Sequence, residues 1–253
     1  MDSSTPISSL GKIGLNQLNA HRAKAAHVNI NLESDKLDRF IYFLQEPHYN
    51  VATGKVMDLN QTHHIVSAKD PRACIYAHKS LQLWESKDYT DKDIATCLWK
   101  LPDGSEIYLA SVYLDITKQQ VIPDILMELM TFCQQRDKPI ILAIDSNAHS
   151  TLWGSEQTNI RGEDLEEFIF NHDLTLLNQG NKPTFQTSRA ASIIDITLVS
   201  PILVSKIKKW KVCDGDSFSD HRKISMDFLT QSEPLKITRN IKKQIGQVLK
   251  MTY

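Results

Sequence analysis

Polar or charged side chains stand at the end of, or inside, several short apolar runs of this sequence. They are Asn19, Glu46, Tyr113, Asp145 with Asn147, Asp195, and the triplet Ser219-Asp220-His221. Short apolar runs are typical of buried strands, which would deliver these groups to the open edge of a sheet. Acid and amide side chains in such a place can orient or deprotonate a water and hold an anionic group.

Together these residue types meet the needs of metal-assisted phosphodiester cleavage. The reaction needs an in-line water, a cation on the phosphate oxygens and donors for the pentacoordinate charge. Mg²⁺ is held by one or two carboxylates, and Glu46, with Pro47 behind it, is the first candidate ligand. His221 can donate to a phosphate oxygen or receive a proton, and Asp195 is the candidate acid that sets its tautomer.

The runs that carry these residues alternate with helical patterns. Apolar spacing predicts helices over residues 22–31, 121–135 and 161–172. Strands are predicted over residues 10–18, 40–44, 64–67, 73–77, 81–85, 94–100, 106–112, 140–144, 174–177, 193–199, 207–212 and 223–228. Strands that outnumber helices, in two similar groups, predict two packed sheets with helices outside.

Composition narrows the class of protein. The 253 residues are 41% hydrophobic and 23% charged, as in globular domains. No run approaches the ~20 apolar residues of a membrane span, and no secretory signal is recognisable. The four cysteines form no C-x-x-C pair, which favours free thiols in a reducing compartment. The formal net charge is −1, but five basic and no acidic residues follow position 234, so this tail could touch phosphates or simply be solvated.

Seven short motifs occur in a recognisable order. They are QEP (45–47), SVYLD (111–115), DSNAHSTLWG (145–154), RG (161–162), PTF (183–185), SIIDITL (192–198) and SDH (219–221). Through them the chain resembles the endonuclease/exonuclease/phosphatase superfamily. More closely, it is similar to the endonuclease domain at the front of non-LTR (LINE-type) retrotransposon polyproteins of the TRAS and Jockey kind. The resemblance covers about residues 13–230, with a lead-in over 1–12 and a basic tail or linker over 231–253.

The resemblance implies both a fold and an activity. The fold is an α/β class, DNase I-like four-layer sandwich, with two central, mostly antiparallel β-sheets flanked by helices. The activity is Mg²⁺-dependent nicking of one strand of double-stranded DNA, with Mn²⁺ able to substitute, leaving a 3′-hydroxyl that primes reverse transcription. It further implies a monomer without membrane contact, made in the cytoplasm, acting in the nucleus and partnered by a reverse transcriptase domain of a parent chain.

Residue roles follow from the matched motifs. The resemblance places Glu46 and Asp220 at the metal, Asp145 and Asn147 at the water and phosphate, Asp195 and His221 in an acid–imidazole pair, and Tyr113 and Asn19 on the scissile phosphate. Thr184 and Ser192 are expected to support the site or to contact phosphate, and Arg161 is either a surface charge or a phosphate ligand. Asn16 competes with Asn19, and His21 stands where apurinic-site endonucleases carry an acid.

Two other classes of function stay open on the sequence. The first is a same-fold phosphoesterase or apurinic-site endonuclease, because nothing at the predicted metal centre separates these activities. The second is a non-catalytic domain that docks a partner.

The loops that would read the DNA sequence are expected at residues 150–159, 178–191 and 213–218. His149 is expected to support its loop or contact substrate, Trp153 to pack beneath it, and Trp84, Trp99 and Trp210 to be at least half-buried.

Overall fold

The computed structural model of the chain describes residues 11–65 and 69–230. The basic tail over 231–253 and residues 1–10 of the lead-in lie outside this part. The elements along the chain are β1 (Lys12–Asn19), α1 (Lys24–Ser34), β2 (Phe40–Gln45), β3 (Tyr49–Asn50), β4 (Lys55–Val56), β5 (Thr62–Ile65), β6 (Ala73–His78), β7 (Gln82–Glu85), β8 (Ile94–Lys100), β9 (Glu106–Tyr113), α2 (Asp124–Gln135), β10 (Ile140–Asp145), α3 (Ile160–Asn171), β11 (Thr175–Leu176), β12 (Phe185–Gln186), β13 (Ala191–Ser192), β14 (Asp195–Val199), β15 (Ile207–Val212) and β16 (Ile224–Leu229). Short 3₁₀ turns occur at Lys87–Tyr89, Thr151–Trp153 and Pro201–Lys206. None of the described helices has the length and apolar character that a membrane crossing requires.

Two six-stranded sheets form the centre of the molecule. The strand order is β15-β16-β1-β2-β6-β5 in the first sheet and β11-β14-β10-β9-β8-β7 in the second. Each sheet has one parallel pair, β1 with β2 and β9 with β10, between antiparallel neighbours. The two sheets are therefore built alike, although the last two strands of the chain, β15 and β16, join the first sheet. This agrees with the predicted sandwich of two mainly antiparallel sheets.

The layers are held by three apolar clusters. The central cluster joins the inner faces of the two sheets, where the rings of Trp99 and Phe228 meet edge to face at 4.9 Å. Helix α1 covers the outer face of the first sheet through residues such as Ile30. Helices α2 and α3 cover the second sheet through residues such as Leu129 and Leu165. This gives four layers, helix–sheet–sheet–helix, as predicted.

Two buried glutamines connect the sheets at the end where the parallel strands finish. Gln45 Nε2 donates to Ser111 Oγ and to the carbonyl of Ala143, both at 3.0 Å. Gln17 Nε2 donates to the carbonyl of Ile144 at 3.1 Å. Apolar packing would tolerate sliding of one sheet over the other, whereas these directional bonds specify one relative position.

The structure differs from the sequence predictions at several points. Residues 48–60, between two of the predicted strands, contain the two-residue strands β3 and β4. The strand expected at 64–67 begins at Thr62, and residues 66–68 lie outside the described part. Trp84 is the least buried of the three tryptophans, with 50% of the residue exposed on the edge strand β7. Trp99 and Trp210 are buried as predicted.

Replacing Gln45 by methionine tests the polar connection between the sheets. Gln45→Met keeps the volume but removes the donor to Ser111 and Ala143, so the free energy of unfolding should fall by about 1–3 kcal/mol. Urea denaturation monitored by tryptophan fluorescence measures this change. Gln82→Met, on the exposed side of β7, is the matched control. Equal losses of stability in both variants would contradict the proposed role of Gln45.

Candidate active site

The carboxyl ends of the two parallel strand pairs meet at one edge of the sandwich. Asn19 pairs with Gln45 at the ends of β1 and β2, and Glu46 follows directly. Asp145 pairs with Tyr113 at the ends of β10 and β9. The fold therefore brings together residues that are up to 126 positions apart in sequence.

Asn19 connects the two sheets within this cluster. Its Nδ2 donates to Glu46 Oε2 at 3.1 Å and to Asp145 Oδ2 at 2.7 Å. Its Oδ1 accepts the backbone N–H of His21 at 2.7 Å. Of the two asparagines, Asn19 is therefore the one that contacts the acids, because Asn16 faces a groove on the outside of the first sheet.

Asp145 is the central acid of the site. Its side chain is 1% exposed, and its Oδ1 has no hydrogen-bond partner among the residues that the structure describes. Burial raises the pKa of Asp145 well above the usual value for an aspartate, and the negative charges of Asp195 and Glu46 raise it further. A buried acid with a raised pKa and one free oxygen is equipped to take a proton from water.

Asp195 and His221 form the predicted acid–imidazole pair. Asp195 Oδ2 lies 2.9 Å from His221 Nδ1, and the edge of the Phe185 ring packs on the imidazole at 5.0 Å between centroids. Burial by itself lowers the pKa of His221, but the carboxylate of Asp195 outweighs it and raises this pKa to about 9. His221 is therefore protonated at neutral pH, with Nε2 as the ring nitrogen not committed to Asp195.

Thr184 holds this pair in place. Its fully buried Oγ1 accepts the backbone N–H groups of Ile194 and Asp195 at 3.1 and 3.0 Å. Of the two expectations for Thr184, support of the site and phosphate contact, the geometry favours support. Ser192 is half-buried, and its carbonyl accepts the backbone N–H of Thr184 at 3.0 Å.

The loop after Asp145 is held by the first turn of α3. Arg161 is not an ordinary surface charge, because its guanidinium donates to the carbonyls of Leu114, Lys118, Ser146 and Asn147. Gly162 is required next to it, since a Cβ at this position would lie 1.9 Å from the carbonyl oxygen of His149. The RG motif therefore fastens the loop that carries Asn147, and phosphate binding by Arg161 stays a prediction.

Trp153 packs beneath the loop as predicted. It is 2% exposed, and its Nε1 donates to the carbonyl of Ile193 at 3.1 Å.

Arg72 is a site residue that the sequence reasoning missed. Its guanidinium makes a bidentate pair with Asp93, contacts Asp115 at 2.8 Å and lies 4.7 Å from the centroid of the Tyr113 ring. Its carbonyl accepts the backbone N–H of Glu46 at 2.8 Å. Burial and the charge of Glu46 raise the pKa of Tyr113 to about 12, whereas Arg72 opposes this rise. The available signal was an arginine directly before the buried strand ACIYAH, two positions after an aspartate.

The donor set suits a hard divalent cation. Carboxylates of Glu46 and Asp145 converge on the single amide of Asn19, and Mg²⁺ prefers such oxygen ligands. Asp145, Asp195 and His221 offer ligand atoms within 4.8 Å of one another. Asp220 lies at the rim, with Oδ2 3.3 Å from His21 Nδ1. The metal roles of Glu46 and Asp220 thus stay a prediction, and so do the water- and proton-handling roles of the tighter buried cluster.

Comparisons with known proteins agree with this fold. A family model described as endonuclease–reverse transcriptase matches residues 107–225. The endonuclease domain of TRAS1, a telomere-specific non-LTR retrotransposon, superposes with a TM-score of 0.72 at 25% identity, covering 85% of this chain and 98% of that domain. The AP endonuclease LMAP from Leishmania major has a TM-score of 0.66 at 15% identity, covering 88% and 89% of the two chains. A mannosyl-6-phosphatase from Bacteroides thetaiotaomicron has a TM-score of 0.57 at 16% identity, covering 85% and 98%. The curated proteins contain no match to the chain.

Removal of Arg72 should be costly. Arg72→Met leaves the mostly buried carboxylates of Asp93 and Asp115 without their cation, and we expect a loss of about 3–5 kcal/mol in the free energy of unfolding. Urea denaturation measures the loss. The double variant Arg72→Met/Asp93→Asn should lose less than the sum of the two single variants. Additive losses would show that the contact contributes nothing.

The raised pKa of His221 makes stability depend on pH. Protonation of His221 stabilises the folded state fully below the unfolded pKa of 6.5, and this contribution disappears as pH rises through about 9. In EDTA, the free energy of unfolding should therefore fall over this window in the wild type. His221→Phe should show a smaller fall, and His78→Phe should keep the wild-type slope. Identical slopes in wild type and His221→Phe would refute the interaction with Asp195.

Proposed function

This chain belongs to the endonuclease/exonuclease/phosphatase superfamily, and from this premise we propose that it is a Mg²⁺-dependent endonuclease that nicks one strand of double-stranded DNA. The observation that carries the proposal is the arrangement around Asp145. This acid is joined through Asn19 to Glu46 and lies beside the Asp195–His221 pair, at an open edge of the sandwich.

The surroundings of each of these side chains suit it to one step of phosphodiester cleavage. Glu46 and Asp220 would hold Mg²⁺, which when bound places positive charge on the phosphate oxygens. Asn19 fixes Asp145 Oδ2, so that Oδ1 is left to orient the attacking water and to accept its proton. The raised pKa of Asp145 makes its carboxylate a stronger base than an exposed aspartate.

The imidazolium of His221 supplies the donor on the other side of the phosphate. Asp195 keeps it protonated and fixes the ring through Nδ1, which leaves Nε2 to donate to a phosphate oxygen as negative charge develops there. Tyr113 and Asn147 stand at the same edge and would contact the scissile phosphate. Asn147 adopts a left-handed backbone (φ 46°), and its Nδ2 donates to the carbonyl of Leu114 at 3.1 Å.

DNA is the substrate that the comparisons favour. The similarity to the TRAS1 endonuclease spans nearly that whole domain, at higher identity than the AP endonuclease or the phosphatase named above. His21 replaces the acid expected of apurinic-site enzymes, which argues against a repair role. The proposal includes a 3′-hydroxyl product that primes reverse transcription, action as a monomer in the nucleus, and a reverse transcriptase domain as partner in the parent chain.

Plasmid nicking with Mg²⁺ or Mn²⁺ tests the proposal. The wild type should relax supercoiled DNA, EDTA should abolish the reaction, and His221→Ala should slow it by on the order of 10²–10⁴. His172→Ala, at the far end of α3, is the matched control and should nick at the wild-type rate. Equal nicking by wild type and His221→Ala would refute the mechanism.

Substrate choice separates the alternatives. A duplex with a single abasic site should be cut no faster than an intact duplex of the same sequence. Preferential cutting at the abasic site would favour a repair enzyme. Hydrolysis of sugar phosphates without any DNA nicking would favour a phosphatase of the same fold.

A further inference from the structure

We propose a second phosphate-binding site, on the outer face of the first sheet, that binds the backbone of a nucleic-acid segment lying outside the cleavage site. The site is a cavity of about 760 Å³, here called the basic groove, lined chiefly by Lys12, Asn16, Lys36, Arg39, Lys209 and Lys211. This inference goes beyond the proposed function, and its binding test does not depend on DNA cleavage.

The sheet register places the polar residues of the groove on one face. Lys12 and Asn16 of β1 alternate with Ile13 and Leu15, which point into the central core. Ser225 pairs with both Asn16 and Lys211, so the polar row continues across β16 and β15. Helix α1 ends at Ser34, and the following residues 36–39 form the opposite wall.

The charge of the groove is positive. Five cationic side chains and two carboxylates, Asp38 and Asp227, line it. Asp227 is shared by Lys12 at 2.9 Å and Lys209 at 3.7 Å. Lys36 and Lys211 have no ion pair among the residues that the structure describes, and both are exposed. Two walls of a concave surface therefore present cations that are available to an anion.

Asn16 adds an unsatisfied donor to the floor. Its side chain is 4% exposed, and its Nδ2 has no partner within the described part of the chain. A buried amide without an acceptor is costly, so its retention here points to an acceptor that the groove receives from outside. A Cβ built at Gly14 would stand 3.8 Å from Asn16 Nδ2, in ordinary contact, so a side chain fits at this position and would lie beside the Asn16 amide.

A chain of phosphates fits this arrangement better than a single anion. The cations lie along both walls instead of converging on one point, and an amide donor lies between them. The groove is also separate from the cleavage site. Asn16 precedes Asn19 by three residues, about 10 Å along the strand, and their side chains face opposite sides of the sheet. The groove therefore opens on the outer face of the sheet, away from the side to which Asn19 points.

Fluorescence anisotropy tests the proposal on the full chain. A labelled oligo(dT) of roughly 20 nucleotides is titrated with the protein in EDTA, at salt concentrations of roughly 50–200 mM. The groove variant Lys36→Ala/Lys209→Ala/Lys211→Ala should bind at least tenfold more weakly. Its slope of log affinity against log salt should decrease by about 1.4, because the two cations without an ion pair among the described residues, Lys36 and Lys211, contribute about 0.7 each. The control Lys79→Ala/Lys87→Ala/Lys100→Ala removes the same charge from exposed positions outside the groove and should keep the wild-type slope.

A neutral variant separates the shape of the groove from net charge. Gly14→Val fills the floor beside Asn16 and should weaken oligonucleotide binding without altering the overall charge. Circular dichroism and the thermal midpoint verify that it folds, and Asn16→Leu serves as the second variant if it does not.

An equal loss of oligonucleotide affinity in the groove and control variants would overturn the proposal. Displacement of the oligonucleotide by an equal charge of tripolyphosphate would overturn its assignment to nucleic acid. Because these measurements need no cleavage, a failure here leaves the nicking test unaffected.

Discussion

Two carboxylates buried beside each other constrain the rest of this structure. Asp145 and Asp195 are each 1% exposed and face each other across paired strands. Burying charge is expensive unless hydrogen bonds and an opposite charge compensate it. Asn19 donates to one carboxylate and His221 pairs with the other, yet each keeps an oxygen without a partner in the described part of the chain. The two buried carboxylates thus keep unpaired oxygens at the place where a water, a cation and a phosphate would supply the missing partners.

The scaffold around these acids is correspondingly rigid. Thr184 holds the backbone of Asp195, Arg161 and Gly162 hold the loop after Asp145, and Arg72 holds Tyr113 and the backbone of Glu46. Several residues at this edge have a left-handed backbone conformation. Non-glycine residues with positive φ there include His21, Arg22, Glu46, Asn147 and Phe218. Such conformations persist only where neighbouring contacts enforce them, and they are frequent at functional sites.

The similarity of the two sheets explains why the site forms between them. Each sheet contributes one parallel strand pair, and both pairs end at the same edge. The first sheet supplies Asn19 and Glu46, which would serve the phosphate and the metal, and the second supplies Asp145 with its neighbours. Neither sheet has a complete site. The buried amides of Gln17 and Gln45 set the relative position of the two contributions.

The sequence by itself determined the sandwich of two sheets, the three helices and most of the residues at the centre. Strand-like runs that end in acids or amides are local patterns, and the order of the motifs indicated the superfamily. Tertiary structure decided what depends on distant partners. It selected Asn19 over Asn16, because strand alternation sends their side chains to opposite faces. The tertiary structure also directs Arg161 toward backbone carbonyls and places Arg72 against the Tyr113 ring. The positions of both arginines depend on contacts across loops and strands. Tertiary structure also exposed Trp84 at a sheet edge. Residue type and spacing specify what a side chain can do, but its partners are set by which strands lie side by side.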